Sequence, residues 1–106
     1  MVNLPTPSQW NLYRTRDRQS MVIVVQSDLL RSAPMRMVMP VMPKSKAPQS
    51  VDPRLLPVVI VGDEPLVAFA LGMASLMVPE FGEWIADAQD AHDGIIRALD
   101  IVISGV

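Results

Sequence analysis

Residues 88–106, AQDAHDGIIRALDIVISGV, carry the clearest helical pattern in the chain. Their apolar residues recur at steps of three or four, which is typical of one buried face of a helix: Ile95, Ile96, Leu99, Val102, Ile103 and Val106. Asp87 is the predicted N-cap, because its carboxylate can accept hydrogen bonds from unpaired backbone N–H groups. Gly105 is predicted to end the helix in the left-handed conformation, and we expect the helix tip to project from the fold.

The strands are predicted upstream of this helix. Residues 10–13 alternate in polarity and residues 21–26 are rich in β-branched side chains, so they predict a hairpin whose polar tip spans residues 14–19. A third strand is predicted at residues 35–42, with an edge or a bulge at Pro40, which has no N–H to donate. Four prolines in residues 43–57 predict a long surface loop.

The second half predicts further strands. Residues 58–61 have the apolar composition of a core strand, and Gly62 begins a tight turn into a partner strand at residues 66–71. Residues 76–78 predict one more short strand, followed by a break at Pro79 and Gly82. Five or six strands and one C-terminal helix indicate an α+β fold, mostly β, built on a strongly bent antiparallel sheet or small barrel.

Length and composition limit the domain count and the location. We predict a flexible leader at residues 1–8, which hold two prolines and little to bury, and a single domain at residues 9–106. The longest apolar runs are far shorter than the ~20 residues that cross a bilayer. Without a secretion signal in the first ten residues, we expect a cytoplasmic protein with no membrane partner.

The side chains available for catalysis are few. The sequence has no Cys and one His, so we expect no metal site and no cofactor. No Ser lies in a G-x-S-x-G turn, and the five glycines are scattered singly instead of forming a phosphate-binding loop. His92 and the adjacent pair Asp63 and Glu64 are interpreted as ordinary helix and turn residues. Four methionines are predicted to fill the core: Met37, Met39, Met73 and Met77.

Charge is distributed unevenly between the two halves of the chain. Residues 1–54 contain eight basic and three acidic side chains, whereas residues 55–106 contain one basic and eight acidic side chains. Two interpretations remain open: a basic face for an acidic partner, or attraction between the two halves within the fold. Arg14, Arg16 and Arg18 are spaced for one face of a strand end that binds phosphate or carboxylate, or for a solvated hairpin tip.

Four sequence strings resemble one known family. VQSDLL at residues 25–30, RMVMP at 36–40, LPVVIVGDE at 56–64 and MAS at 73–75 occur in the order and approximate spacing seen in the CcdB toxins of bacterial toxin–antitoxin modules. The resemblance extends from about residue 10 to residue 106. It implies an SH3-like small barrel with a C-terminal helix, the fold of the MazF and Kid toxins, and a two-fold homodimer.

The resemblance also implies a function. CcdB toxins bind the A subunit of DNA gyrase and trap the gyrase–cleaved-DNA complex, and a CcdA-like antitoxin neutralises them. The expected protein is therefore a non-enzymatic topoisomerase poison that contacts DNA only indirectly, through the antitoxin complex that represses its operon. The resemblance assigns eight residues to gyrase binding: Ser27, Leu29, Leu30, Asp100, Ile103, Ser104, Gly105 and Val106.

Two positions depart from the best-known family members. Ser104 occupies the place of a Trp, whose loss removes about 2 kcal/mol or more of binding if the receiving pocket is unchanged. Asp100 replaces an Asn. These departures favour an alternative in which a diverged, weakly active or inactive protein acts mainly in antitoxin binding and operon autoregulation.

We predict that the acidic antitoxin binds a basic surface in the first half of the chain. Its proposed members are Arg14, Arg16, Arg18, Lys44 and Lys46. A further alternative on the same fold is a MazF-like endoribonuclease, which would need an Arg with an acid or a His in a groove beside the sheet.

Overall fold

The computed structural model describes residues 6–105. Within that range the chain forms seven strands and one α-helix, in agreement with the predicted fold class. The strands are β1 (Asn11–Thr15), β2 (Met21–Val24), β3 (Met35–Met42), β4 (Val58–Val61), β5 (Glu64–Ala68), β6 (Ala74–Met77) and β7 (Phe81–Asp87). The helix, α1, spans His92–Ser104.

All the strands belong to one curled antiparallel sheet with the order β4-β5-β3-β2-β1-β7, and β6 pairs with β3 outside that path. Strand β3 therefore lies inside the sheet, and the predicted edge or bulge at Pro40 is wrong. Along one side of β3 the partner changes from β6 to β5. Pro40 lies at that change, where its carbonyl accepts a hydrogen bond from Phe69 N–H at 2.9 Å. The missing proline N–H therefore faces a gap between two partners.

The sheet buries side chains on both faces. Leu12 and Tyr13 are neighbours in β1 and point to opposite faces, yet both are buried. Leu12 belongs to the larger apolar cluster, which also contains Ile95 of α1, whereas Tyr13 packs in a smaller cluster with Phe81. The curl of the sheet creates the second cluster, because it closes β7 and β6 over the outer face of β1 to β3.

The C-terminal helix is confirmed, but it begins later than predicted. Residues Gln89–Ala91 form a 3₁₀ turn, and Asp87 Oδ1 accepts a hydrogen bond from Gln89 N–H at 3.0 Å. Asp87 therefore bonds to the first residue of this turn, while Ala88 and Ala91, the cap positions of the turn and of the helix, have no side-chain cap. The predicted helix cap at Asp87 is wrong because the chain must turn once more on leaving β7.

The buried face of α1 is narrower than the predicted stripe. Ile95 and Ala98 are fully buried and Leu99 is half-buried, but Ile96 and Ile103 are exposed. The rest of the fold covers only one side of the helix, so the apolar residues outside that area face solvent. Val106 lies outside the described residues.

The predictions for the second half of the chain need three corrections. Strand β4 is an edge strand and not a core strand: Val59 is buried, while Val58 and Ile60 are more than half exposed. Gly82 does not break the chain, since β7 runs through it. Among the predicted core methionines, Met39 is fully buried, but Met77 is exposed.

Two irregular segments were predicted, a loop at residues 43–57 and a leader at residues 1–8. Residues 43–57 form the predicted loop, interrupted only by the 3₁₀ turns Lys44–Lys46 and Pro53–Leu55. Of the predicted leader, residues 1–5 lie outside the described residues. Pro7 is fully buried, and its carbonyl accepts a hydrogen bond from Arg36 Nε at 3.0 Å, so the ordered packing includes this residue.

Candidate functional site

The first group of predicted site residues lies in a 3₁₀ turn, Asp28–Leu30, between β2 and β3. Ser27 precedes the turn, and its hydroxyl oxygen accepts a hydrogen bond from Leu29 N–H at 3.1 Å. The side chain of Leu29 is 93% exposed and that of Leu30 is 58% exposed. The turn thus presents two adjacent leucines to solvent.

Gln26 connects both ends of this turn to the start of β3. Its amide nitrogen donates to the carbonyls of Leu30 and Met35, each at 3.3 Å. Its amide oxygen accepts from Met37 N–H at 3.0 Å. One side chain therefore closes the connection between β2 and β3.

Asp28 ties the same turn to the N-terminal segment. Its Oδ1 accepts a hydrogen bond from Gln9 N–H at 2.9 Å, and the side-chain amide of Gln9 donates to Val25 O at 3.1 Å. Asp28 is therefore used within the fold, whereas the neighbouring leucines remain free for a partner.

The second group lies at the end of α1. Gly105 has φ = 79° and donates its N–H to Ile101 O at 2.9 Å, which confirms the predicted helix end. Ser104 donates its hydroxyl hydrogen to Asp100 O at 2.7 Å, so its side chain bonds to its own helix. Ile103 is 79% exposed, the highest value among the large apolar residues described in α1.

Asp100 does not belong to the tip surface. It lines a groove of about 510 Å³ between α1, the Pro53–Leu55 turn and β4, in which Arg54, Arg97 and Ile101 also take part. Gyrase binding at Asp100 would therefore use the side of the helix and not its end.

The two groups lie on different elements. In the described part of the chain, α1 packs mainly against the 3₁₀ turns Pro53–Leu55 and Ala70–Gly72, whereas Ser27, Leu29 and Leu30 belong to the connection between β2 and β3. The fold of one chain therefore offers two apolar projections and does not merge them into one pocket.

The five predicted antitoxin-binding residues lie toward one end of the sheet. Because Met21 pairs with Val41, the hairpin tip before β2 and the Lys44–Lys46 turn after β3 leave the sheet at the same end. However, β1 ends at Thr15 and Arg18 has φ = 64°, so the two-residue spacing does not place the three arginines on one strand face. The prediction that the three arginines share one face of a strand end is therefore wrong, because two of them lie in the turn.

Asp17 organises the hairpin tip between these arginines. Its Oδ1 accepts from the Thr15 hydroxyl at 2.6 Å and from Gln19 N–H at 3.0 Å. The hydrogen bond from Thr15, and then that from Gln19, lower the pKa of the Asp17 carboxyl. The backbone of the hairpin tip is bound to the segment just before β7, because Arg16 N–H donates to Glu80 O at 2.8 Å.

His92 shows no catalytic arrangement. It lies at the start of α1 with its Nδ1 2.9 Å from Asp93 Oδ1, and its ring packs edge-on against Trp10 at 5.0 Å. Residues 6–105 contain no group of three side chains suited to holding a metal ion. The same range contains no helix long and apolar enough to cross a membrane.

Sequence reasoning missed the polar residues that shape the first group. Gln26, Asp28 and Arg36 were visible only as parts of family strings, although Arg36 is also the one charge among residues 35–42. That isolated charge was the available signal, because an arginine inside a buried strand needs partners for its guanidinium.

Comparison with known proteins gives a matching family and similar solved structures. Residues 9–105 match the model of the family described as CcdB protein. Among solved structures, the chain is similar to an endoribonuclease from Mycobacterial species, with a TM-score of 0.72 and 14% sequence identity over 96% of this chain and 95% of that chain. At this identity the likeness shows a shared fold.

Proposed function

This chain belongs to the CcdB family, and from that membership we propose that it is the toxin of a toxin–antitoxin system. In this proposal it binds the A subunit of DNA gyrase, traps the gyrase–cleaved-DNA complex and acts without enzymatic chemistry. The family match over residues 9–105 carries the proposal. The two exposed apolar projections, at Leu29 and at Ile103, support it as contact points.

Exposed apolar anchors suit a protein that acts by obstruction. Burying a leucine or isoleucine side chain in a partner pocket contributes about 1.5–3 kcal/mol. Leu29 and Ile103 are almost fully available for such burial, since 93% and 79% of their surfaces are exposed. Ser27 and Gly105 shape the backbone on which these anchors stand. Val106 remains part of the proposed contact by family resemblance.

The proposed antitoxin is acidic and CcdA-like, and it binds the basic end of the sheet. Four of the five basic residues there are exposed in turns: Arg16, Arg18, Lys44 and Lys46. The proposal includes a two-fold homodimer, and contact with operator DNA only through the complex with the antitoxin.

The test compares two isoleucines of the same helix. Ile103→Asp places a charge at the proposed contact, whereas Ile96→Asp makes the same change at an exposed position about two turns earlier. We expect both proteins to fold, because neither side chain belongs to the core. Purified Ile103→Asp should lose gyrase-dependent DNA cleavage, and Ile96→Asp should retain it. Equal cleavage by both variants would contradict the contact at Ile103.

Ser104→Trp tests whether the small residue limits activity. Because the Ser104 hydroxyl bonds to Asp100 O, its replacement gives up one bond within the helix and adds an aromatic anchor. We expect about a tenfold or larger gain in gyrase inhibition, since such an anchor contributes roughly 2 kcal/mol. Folded wild-type and Ser104→Trp proteins that both bind antitoxin but do not affect gyrase would favour the diverged, autoregulatory alternative.

An endoribonuclease is the second candidate, because the similar solved structure is named as one. A hollow of about 390 Å³ beside the sheet brings together Thr15, Arg16, Asp17 and Glu80, which combines an arginine with two acids. Incubation of RNA with purified protein and with Arg16→Ala would decide between the candidates. Cleavage that disappears in Arg16→Ala would replace the proposed gyrase poison by a nuclease.

A further inference from the structure

Arg36 is the one buried charged residue among residues 6–105, with 3% of its surface exposed. Its guanidinium bonds only to backbone carbonyls. Nε donates to Pro7 O at 3.0 Å, and Nη2 donates to Arg31 O at 3.0 Å. Nη1 donates to Ala33 O at 2.8 Å and to Met35 O at 3.0 Å.

This arrangement joins three parts of the chain at one side chain. The carbonyls of Arg31 and Ala33 belong to the segment that directly follows the two exposed leucines. Pro7 belongs to the segment before β1, and Arg36 itself is part of β3. Burial of a guanidinium is unfavourable unless its N–H groups are satisfied. Three of its four bonds, to Pro7, Arg31 and Ala33, therefore hold these segments in one relative position.

The other end of the connection between β2 and β3 is held by different side chains, Gln26 and Asp28. Gln26 donates to Leu30 O, and Asp28 accepts from Gln9 N–H. The turn with Leu29 and Leu30 is thus fixed on one side by Gln26 and Asp28 and on the other side by Arg36. Between these supports the two leucine side chains have no role in the core, and Leu29 is almost fully exposed.

We propose that Arg36 is a positioning residue for the partner-binding surface. Its guanidinium holds the connection between β2 and β3 in the shape that presents Leu29 and Leu30, so that the partner does not have to order this turn on binding. The inference rests on the proposed function, because it takes the two leucines as contacts with the A subunit of gyrase.

The first test measures the turn itself, without a partner. Arg36→Met keeps a stem of similar shape and removes all four donated bonds. Amide hydrogen exchange at Leu30, Arg31 and Ala33, whose N–H groups bond within this turn, should become at least tenfold faster. The amide hydrogen exchange rates in β1 and β2 should stay within twofold of those in the wild type. Arg54→Met, which removes an exposed guanidinium, is the matched control and should leave the turn unchanged.

A second variant covers the case in which Arg36→Met does not fold. Arg36→Lys keeps the charge, but one ammonium cannot reach carbonyls that the planar guanidinium meets in three directions. We expect folded Arg36→Lys with the same faster exchange in the turn. Wild-type exchange at Leu30, Arg31 and Ala33 in either variant would overturn the proposal.

The third test measures binding to the purified A subunit of gyrase in a double-mutant cycle. Arg36→Met should weaken binding at least tenfold in the wild-type background. In a Leu29→Ala/Leu30→Ala background it should have no further effect, because nothing remains to be positioned. An equal loss in both backgrounds would overturn the positioning role and indicate a general loss of stability. If the wild type does not bind gyrase, the proposed function fails, while the exchange experiment still decides whether Arg36 holds the turn.

Discussion

Gly82 allows β7 to lie very close to the end of β1. A Cβ at this position would lie 2.9 Å from Arg14 O and 3.0 Å from Thr15 O, both of them backbone atoms that cannot move aside easily. The pairing of β1 with β7 shifts register between Tyr13 and Thr15, next to this contact. The glycine thus lets β7 approach the end of β1 more closely than any side chain would allow.

Gly82→Ala should destabilise the protein. The added methyl group forces the two strands apart, at a cost of about 1–3 kcal/mol. Urea unfolding followed by circular dichroism measures this change. Gly94→Ala is the control, because its nearest neighbour is the Pro57 side chain at 3.2 Å and a helix favours Ala over Gly by about 1 kcal/mol. A stability loss in Gly82→Ala no larger than in Gly94→Ala would contradict the close-approach argument.

For single residues, the sequence predicted the backbone geometry correctly where that geometry favours one residue type. Gly105 was predicted to end α1 and does so with a positive φ. The partners of Gln26 and Arg36 were not predictable, because they are backbone groups whose positions depend on the fold. Which carbonyls lie within reach depends on how the connection between β2 and β3 is folded.

At the scale of elements, the β1–β2 hairpin contains a titratable contact. The Thr15 hydroxyl and the Gln19 N–H both donate to the Asp17 carboxylate and lower its pKa below the ordinary value of 3.8. A carboxyl with a lowered pKa stabilises the fold when it is ionised. This stabilisation is present above pH 3.8 and is lost as the pH falls through the pKa of the folded state.

Acidification should therefore loosen the hairpin tip only at low pH. The chemical shift of the Gln19 amide, followed by NMR from about pH 6 to pH 2, should titrate with a midpoint below 3.8. In Asp17→Asn this titration should be absent. A midpoint at or above 3.8 in the wild type would mean that the two hydrogen bonds do not favour the ionised form in solution.

Residues 58–61 show that apolar composition alone does not predict where a strand lies in the sheet. The run of residues 58–61 is apolar throughout and was interpreted as a core strand, yet Ile60 is 61% exposed. Apolar composition indicates a strand, but it does not indicate whether that strand ends up inside the sheet or at its edge. The same limit applies to α1. Its apolar periodicity predicted the helix correctly, but it did not show which apolar residues would be exposed.

For the whole molecule, the proposed homodimer is the property to test. A single chain leaves several large apolar side chains exposed in addition to the proposed gyrase contacts, among them Val58, Ile60 and Leu71. Such a distribution is consistent with a surface that a second copy covers in part.

If the chain is a dimer that unfolds to separate chains, its thermal midpoint must depend on concentration. We expect the midpoint to rise by several degrees over roughly a hundredfold increase in protein concentration, because association stabilises the folded state by mass action. Circular dichroism melts paired with sedimentation equilibrium measure both quantities. A chain that sediments as a monomer, with a midpoint independent of concentration, would remove the homodimer from the proposed function.

Local patterns along the chain were sufficient to predict most of the elements, the helix end at Gly105 and the family, because periodicity, turn residues and short strings are local properties. The folded molecule was needed to show that β4 is an edge strand, that Gly82 lies within a strand, and that Arg36 is buried among carbonyls. These features depend on contacts between segments far apart in the sequence, such as Arg36 with Pro7. No local pattern specifies these contacts, because each is set by where the curled sheet brings its distant segments together.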